Sequence, residues 1–360
     1  MFTLPTYTAP DFSALGNCPD CTFVPAPADG VAPAGYHSTS MFPEYFKVKG
    51  SWLLIENSRM DCTAALRDGA VYATEFRNLK AGDLVAIGRV DDGSLGIYLH
   101  DRGFDMKKGG QADTFAFRLS RSRETGYSSE YATLTDLLRH EKEHGKIVWV
   151  MGPACSFDAG ARECFAALVR GGYVHGVMAG NALATHDMEG SFLGTALGVN
   201  IKTQTPVPMG HYHHLDVINA VRAAGGIQNF VEQGNVTDGI VYECVKKDVP
   251  LVLVGSVRDD GPLPEVYGNV YQGQDAMRSL ISDATTVICM ATTLHTIATG
   301  NMTPSYRVVD GQVRPLYFYT IDTSEFSVGK LADRGSLSAK SIVTNVQDFL
   351  FKLGTNLEVL

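Results

Sequence analysis

The sequence predicts an α/β protein, a doubly wound parallel sheet preceded by a small all-β domain. Three observations predict it. From about residue 146, short and nearly unbroken apolar runs (IVWVM, VHGVMAG, LVLVG, TVICMA, LYFYTID, SIVT) have the pattern of strands buried on both faces. Helical patterns separate these runs, and alternation of that kind over most of the chain implies parallel strands joined by right-handed crossovers. From about residue 44 to 100 the pattern is different: short β runs, turn signals and little helix.

Taken in order, residues 1–40 are rich in Pro, Gly, Ala and Ser and predict an extended N-terminal arm. Residues 41–105 predict a small β-barrel or sandwich. FKVKGSWLLIE gives two strands around Lys49-Gly50, VYATEFRNL and DLVAIGRV follow, and DDGS is a hairpin-type turn before LGIYL. Residues 106–145 predict a linker and one helix, SSEYATLTDLLRHEKEHGK, with apolar residues at helical spacing and Gly145 closing it. Residues 146–360 hold the parallel sheet. Its helices are predicted over 159–171, 182–197, 214–247, 272–283, 292–299, 325–332 and 345–353. The long apolar pattern of 214–247 fits either core packing or a homo-oligomer, a dimer or tetramer.

Composition narrows the function. Apolar residues are 45% and charged residues 19% of the 360, the balance of a soluble globular protein. A net charge of −9 leaves no electrostatic footprint for nucleic acid. No apolar run approaches the roughly 18 residues of a membrane span, and MFTLPTYTAPDF lacks the basic-then-apolar order of a secretory signal. A cytoplasmic protein is expected. Seven cysteines, an odd number, several of them in apolar runs, give no disulfide framework. The pair Cys18 and Cys21 is half a zinc site with no second half. GHYHHLD, with His211, His213 and His214, lacks the i, i+4 spacing of a helical metal pair, so no metal is expected and His211 is placed at a substrate loop.

Chemistry-bearing residues gather where strands end, which is where open α/β sheets bind ligands. VHGVMAGNALATHD and LVLVGSVRDDGPLP both leave a buried strand through Gly into polar groups, and together they suggest one crevice. Gly152-Pro153-Ala154 could let a nucleotide phosphate approach backbone N–H groups, although GPACSFDAG is not GxGxxG and equally fits an ordinary βα turn. His186 and Asp187, with Asn181 beside them, could serve acid–base chemistry or simply cap and solvate the next helix, and the latter reading stands for Glu189. Arg258 fits a carboxylate through two parallel hydrogen bonds, and Asp259 and Asp260 fit an amine or a ribose. A salt-bridged loop is the alternative. Ala291, Thr292 and Thr293 leave room for a ring or phosphate, with His295 and Asn301 beyond them. Asp322 fits ribose hydroxyls or a helix cap.

Several longer segments, GNALATHDMEGSFLGTALG, INAVRAAGGI, VEQGNVTDGIVYECVKKDVPLVLVGSVRDDGPLPEV, QDAMR and KLADRGS, resemble the LOR/SDH family of archaeal and cyanobacterial ornithine cyclodeaminases. The resemblance is close over 146–350 and looser over 29–65. It implies a Rossmann-like NAD-binding domain after a β-domain, and conversion of L-ornithine to L-proline plus ammonia, with a hydride removed from Cα and returned there by the same bound NAD. Carried over by position, Gly152, Pro153, Ala154, Gly180, Asn181, Ala182, Gly255, Ser256, Ala291 and Thr292 would contact NAD, as would Asn301 and Asp322. His186, Asp187, Arg258, Asp259 and Asp260 would face the substrate, with Asp187 as proton acceptor and Arg258 on the substrate carboxylate. Closure of the β-domain would add Asp61 and Cys62. The chain departs from the family in the loop after GPA and in its CPDC arm. Both departures leave room for another diamino acid, for a net imine- or opine-type oxidoreductase, or for an NAD-binding protein without activity.

Overall fold

The computed structural model describes residues 2–104, 127–324 and 339–360. Seven strands build the β-domain: β1 (Thr22–Pro25), β2 (Glu44–Val48), β3 (Ser51–Leu54), β4 (Thr63–Arg67), β5 (Ala70–Thr74), β6 (Leu84–Ile87) and β7 (Ile97–Leu99). They form two antiparallel sheets, ordered β1-β6-β4-β5 and β3-β2-β7. Phe46, Val71, Ala86 and Ile97 fill the space between them without exposure. The β2–β3 hairpin turns where the sequence placed it. Lys49 and Gly50 both take left-handed backbone (φ 51 and 79), the conformation whose twist matches the flanking strands.

The extended arm expected over 1–40 is corrected in one part. Thr22–Pro25 is a strand, paired in register with Leu84–Ile87, so this part of the arm belongs to the β-domain. The CPDC loop is tied down by Lys47, whose ammonium donates to the carbonyls of Gly16 (2.9 Å) and Cys18 (2.6 Å). Cys21 packs into the β-domain core.

Most of the predicted linker, and the helix expected over 325–332, lie outside the described residues. Helix α1 (Ser128–His144) leads into the sheet domain. Its parallel strands are β8 (Ile147–Met151), β9 (Gly176–Gly180), β12 (Leu251–Val254), β13 (Thr286–Met290), β16 (Tyr317–Asp322) and β17 (Ala339–Val343). Two short hairpins lie outside this sheet: β10 (Thr195–Ala196) with β11 (Val199–Asn200), and β14 (Tyr306–Val309) with β15 (Gln312–Pro315). The six parallel strands lie in the order β12-β9-β8-β13-β16-β17. The first three therefore run outward on one side of β8, and the next three run outward on the other. This reversal between β8 and β13 is a topological switch point, which opens a crevice at the carboxyl ends of the strands.

Helices follow the strands: α2 (Ala159–Arg170), α3 (Asn181–Phe192), α4 (His213–Ala224), α5 (Ile227–Glu232), α6 (Ile240–Lys246), α7 (Val270–Ile281), α8 (Thr293–Met302) and α9 (Val346–Asn356). The single helical pattern of 214–247 is three helices. Gly225 and Gly226 (φ 85 and 136) break it first, and Gly234 and Gly239 (φ 79 and 101) break it again, all in backbone that L side chains disfavour. Its apolar residues Val217, Val221, Phe230 and Ile240 are buried in this chain's own core, which accounts for the pattern without a partner.

The β-domain packs on α7. Arg278 pairs with Glu75 and donates to the Asn57 carbonyl at 3.0 Å, and Arg77 pairs with Asp275. Ser305 donates its N–H to the Met41 carbonyl at 2.8 Å. Among the described residues no helix is long and apolar enough to cross a membrane.

Candidate functional site

A cleft of about 640 Å³ opens at the switch point, within the size range of cofactor and ligand sites. Its floor is where β8 and β13 part. The Gly152 N–H donates to the Met290 carbonyl at 2.8 Å, and a β-carbon on Gly152 would overlap the Ala291 carbonyl oxygen. Only glycine permits that approach. Ala291 itself takes left-handed backbone (φ 50), a conformation costing a non-glycine residue about 1 kcal/mol or more.

Two helices point their N-termini into this cleft. Gly180 stands at the N-cap of α3 and Thr292 at that of α8, and neither makes a side-chain cap. Elsewhere in the sheet domain Asp158, Asn269 and Asn345 cap α2, α7 and α9, Glu265 and Asp187 accept from the first N–H groups of α5 and α6, and α4 follows Tyr212 without a side-chain cap. Uncapped N–H groups and the positive end of the helix dipole make a ready site for an anion. Gly180, Asn181, Ala182 and Thr292 line the cleft. Asn181 turns its side chain to hold the opposite wall, accepting from the Leu263 N–H at 3.0 Å.

The remaining wall carries the titratable groups. His186, His214 and His295 line the cleft with Ser256, Arg258 and Asp259. Burial lowers the pKa of His295 from its ordinary value and so favours the neutral ring. Asp259 accepts from the Ser256 N–H at 2.7 Å, which folds the loop after β12. Arg258 is exposed, and its guanidinium has no hydrogen-bond or ion-pair partner among the described residues.

His186 is held from behind. Its Nδ1 lies 2.8 Å from Glu189 Oε2, one turn along α3. Glu189 has no exposure, yet it is the best-satisfied carboxylate of the site, also accepting from Thr195 Oγ1 (2.7 Å) and from the N–H groups of Leu197 and Gly198 (3.3 Å each). Burial by itself would raise its pKa. Hydrogen bonds from His186, Thr195 and Gly198 outweigh that and bring it below the ordinary value.

The structure corrects several expectations. Asp187 does not face the cleft. It has no exposure, and its carboxylate accepts from Arg162 Nε (2.9 Å) and from the N–H groups of Ile240 (3.0 Å) and Val241 (2.7 Å), at the start of α6. Glu189, expected at the surface, is buried behind the site. Asn301 lies eight residues along α8 from its first turn, about 12 Å from the cleft end at the usual helical rise. Asp61 is exposed on the β-domain (φ 61), and Cys62 is in that domain's core, where burial pushes its thiol up to about 11. Among the described residues, none of the β-domain lines the cleft, and neither does Asp260. His211 is exposed against Tyr212, and His214 takes the cleft position instead.

Other expected residues stand at or just behind the wall. Pro153 and Ser256 line it. Behind them lie Ala154, whose carbonyl accepts from Gln347, and Gly255, whose N–H donates to the Tyr267 carbonyl. Asp322 ends β16 and borders an adjoining recess shared with Thr292 and Thr296. The cleft's apolar residues Phe157, Leu197, Ile218 and Leu294 carried no sequence signal beyond ordinary hydrophobicity.

Three comparisons bear on this site. Residues 132–353 match the family model described as arginine dihydrolase ArgZ-like, C-terminal, Rossmann fold. The chain is 40% identical to an ornithine cyclodeaminase of Methanopyrus kandleri over 336 residues, covering 91% of this chain and 76% of that protein. Among solved structures, a conserved LOR/SDH protein from Methanococcus maripaludis S2 superposes with a TM-score of 0.86 at 36% identity, over 94% of this chain and 98% of that one. The ternary complex of AgrE with ornithine and NAD+ matches at 32% identity with a TM-score of 0.60, over 95% of this chain and 46% of that longer one.

Proposed function

The chain belongs to the ArgZ-like C-terminal Rossmann family, and on that footing we propose that it is an NAD-dependent ornithine cyclodeaminase, converting L-ornithine to L-proline and ammonia. One observation carries the reading: the two uncapped helix N-termini, of α3 and α8, meet in the cleft that also presents His186 and Arg258. The residues present fit a dinucleotide. Gly180 and Thr292 leave N–H groups open to a pyrophosphate, Gly152 keeps the switch point narrow, and Asp322 stands at the end of the neighbouring strand β16, a position where an acidic side chain suits ribose hydroxyls. NAD bound there supplies the hydride acceptor and donor that a redox-neutral cyclisation needs.

The chain's own residues do the rest. Arg258 pairs with the substrate carboxylate through its planar fork of donors. Asp259 faces an ammonium of the substrate from the same loop. His186 Nε2, which has no partner among the described residues, accepts a proton from an amine that must react as a free base. Glu189 carries the balancing negative charge behind the ring. Phe157, Leu197, Ile218 and Leu294 keep water from the reacting carbon.

Seven free cysteines support a reducing, cytoplasmic setting.

The test is stoichiometry. Protein saturated with NAD is offered ornithine, lysine or diaminobutyrate, and ammonia, cyclic product and NADH are followed together. One ammonia per proline with no change in NADH is expected for ornithine. Continuous consumption of NADH would assign a net oxidoreductase instead, and NAD binding with no product from any diamino acid would remove the enzyme reading.

A further inference from the structure

Behind His186 a line of hydrogen bonds leaves the cleft. From Glu189 it continues through Thr195 Oγ1, which donates to Glu189 Oε1 at 2.7 Å and lies 2.6 Å from His213 Nδ1. Glu189 and Thr195 are buried, at 0% and 2% exposure, so water does not compete for these bonds. His213 opens α4, is half-buried and does not line the cleft.

Counting hydrogens fixes where the protons sit. Thr195 has one hydroxyl hydrogen, and it goes to Glu189. The bond between Thr195 and His213 must then be donated by His213 Nδ1. The Glu189 carboxylate has no hydrogen to give, so His186 Nδ1 must donate to it. A neutral His186 with its hydrogen on Nδ1 keeps its lone pair on Nε2. We propose that Thr195 and His213 are positioning residues, which hold Glu189 in one orientation and thereby keep His186 in the tautomer whose Nε2 can accept a proton in the cleft. The proton moves from a substrate ammonium to Nε2, the amine nitrogen keeps its electron pair, and Glu189 balances the imidazolium that forms. Without the Thr195 hydroxyl, Glu189 Oε1 retains only the longer bond from Gly198 N–H, so the carboxylate can turn away from His186, whose ring then loses its Nδ1–H partner and exchanges tautomers.

The proposal rests on His186 as the cleft base, so its test begins with a measurement that needs no turnover. In the NAD-loaded protein with nitrogen-labelled histidine, imidazole NMR shifts report which ring nitrogen of His186 carries hydrogen. The wild type is expected to show Nδ1–H, Thr195→Val a mixture, and Thr195→Ser the wild-type pattern. On ornithine, Thr195→Val is expected to lower kcat about 10- to 100-fold, as losing an orienting partner of a functional histidine does, with KM little changed because Thr195 does not reach the cleft. Thr195→Ser should recover most of the rate. Nε2–H in the wild type would overturn the proposal whether or not any variant folds. So would Thr195→Val with an unchanged tautomer and an unchanged kcat. If the wild type shows Nδ1–H but forms no proline, the positioning stands and the ornithine reading fails separately.

Discussion

Arg162 holds Asp187 from the side away from the cleft, its Nε donating to Asp187 Oδ1 at 2.9 Å and its Nη2 to the Asp187 carbonyl at 2.9 Å. The guanidinium crosses α3 at Gly190, where any β-carbon would crowd it, and ends at Asp238. Gly239 has no room for a side chain either, and its left-handed turn brings the α6 N–H groups onto the carboxylate. The pair therefore locks α2, α3 and α6 together.

Asp187→Ala leaves the buried guanidinium with only the exposed Asp238 as an ion-pair partner and strips the Ile240 and Val241 N–H groups of their acceptor, and loss of about 3–5 kcal/mol of stability is expected. Paired replacement of Arg162 by Met and Asp187 by Leu should be less damaging than either single change. Denaturant unfolding measures both. Full stability in Asp187→Ala together with abolished turnover would return Asp187 to the site.

Gly152→Ala places a methyl group against the Ala291 carbonyl, backbone that cannot yield cheaply. The expected results are a loss of about 1–3 kcal/mol from overpacking and NAD affinity that falls together with it. Calorimetric titration with NAD, beside a melting curve, checks the two effects.

Ala182→Glu separates affinity from stability. A carboxylate in the uncapped first turn of α3 should stabilise the free protein by about 0.3–1 kcal/mol. It would also repel a pyrophosphate bound at the same N-terminus. NAD affinity should fall about tenfold, equivalent to about 1.4 kcal/mol. Tighter NAD binding would place the phosphates elsewhere.

Glu189 gives a pH dependence of known sign. Its folded pKa lies below the ordinary glutamate value, so its contribution to stability is fully present above that ordinary value. The contribution is lost as pH falls through the folded pKa. Glu189→Gln should therefore flatten the acid limb of stability against pH and leave the slope above neutrality unchanged. An identical acid limb in the variant would mean that Glu189 titrates alike in folded and unfolded chains.

The fold was legible because buried parallel strands read as short apolar runs, and both strand-end segments of the predicted crevice do reach the cleft. Local backbone was legible too, as at Lys49-Gly50. Contacts between distant segments were not: nothing local marks Thr22–Pro25 as the partner of Leu84–Ile87, or Arg162 as the partner of Asp187. The choice between His186 and Asp187 turned on where α3 begins. A helix starting at Asn181 sends neighbouring residues about 100° apart, so one faces the cleft and the other the core. That same geometry puts His186 and Glu189 on one face. The His-x-x-Glu spacing was the available signal for a paired base, and it stands in the sequence beside the Asp187 first assigned that role.

The central claim is that the hydride removed from ornithine returns to the same carbon. Ornithine deuterated at Cα, turned over by the NAD-loaded protein, tests it most directly by mass spectrometry of the product. The account predicts proline that retains deuterium at Cα, one ammonia per proline and no accumulated reduced cofactor. Product without deuterium, or deuterium collected in free reduced cofactor, would contradict it.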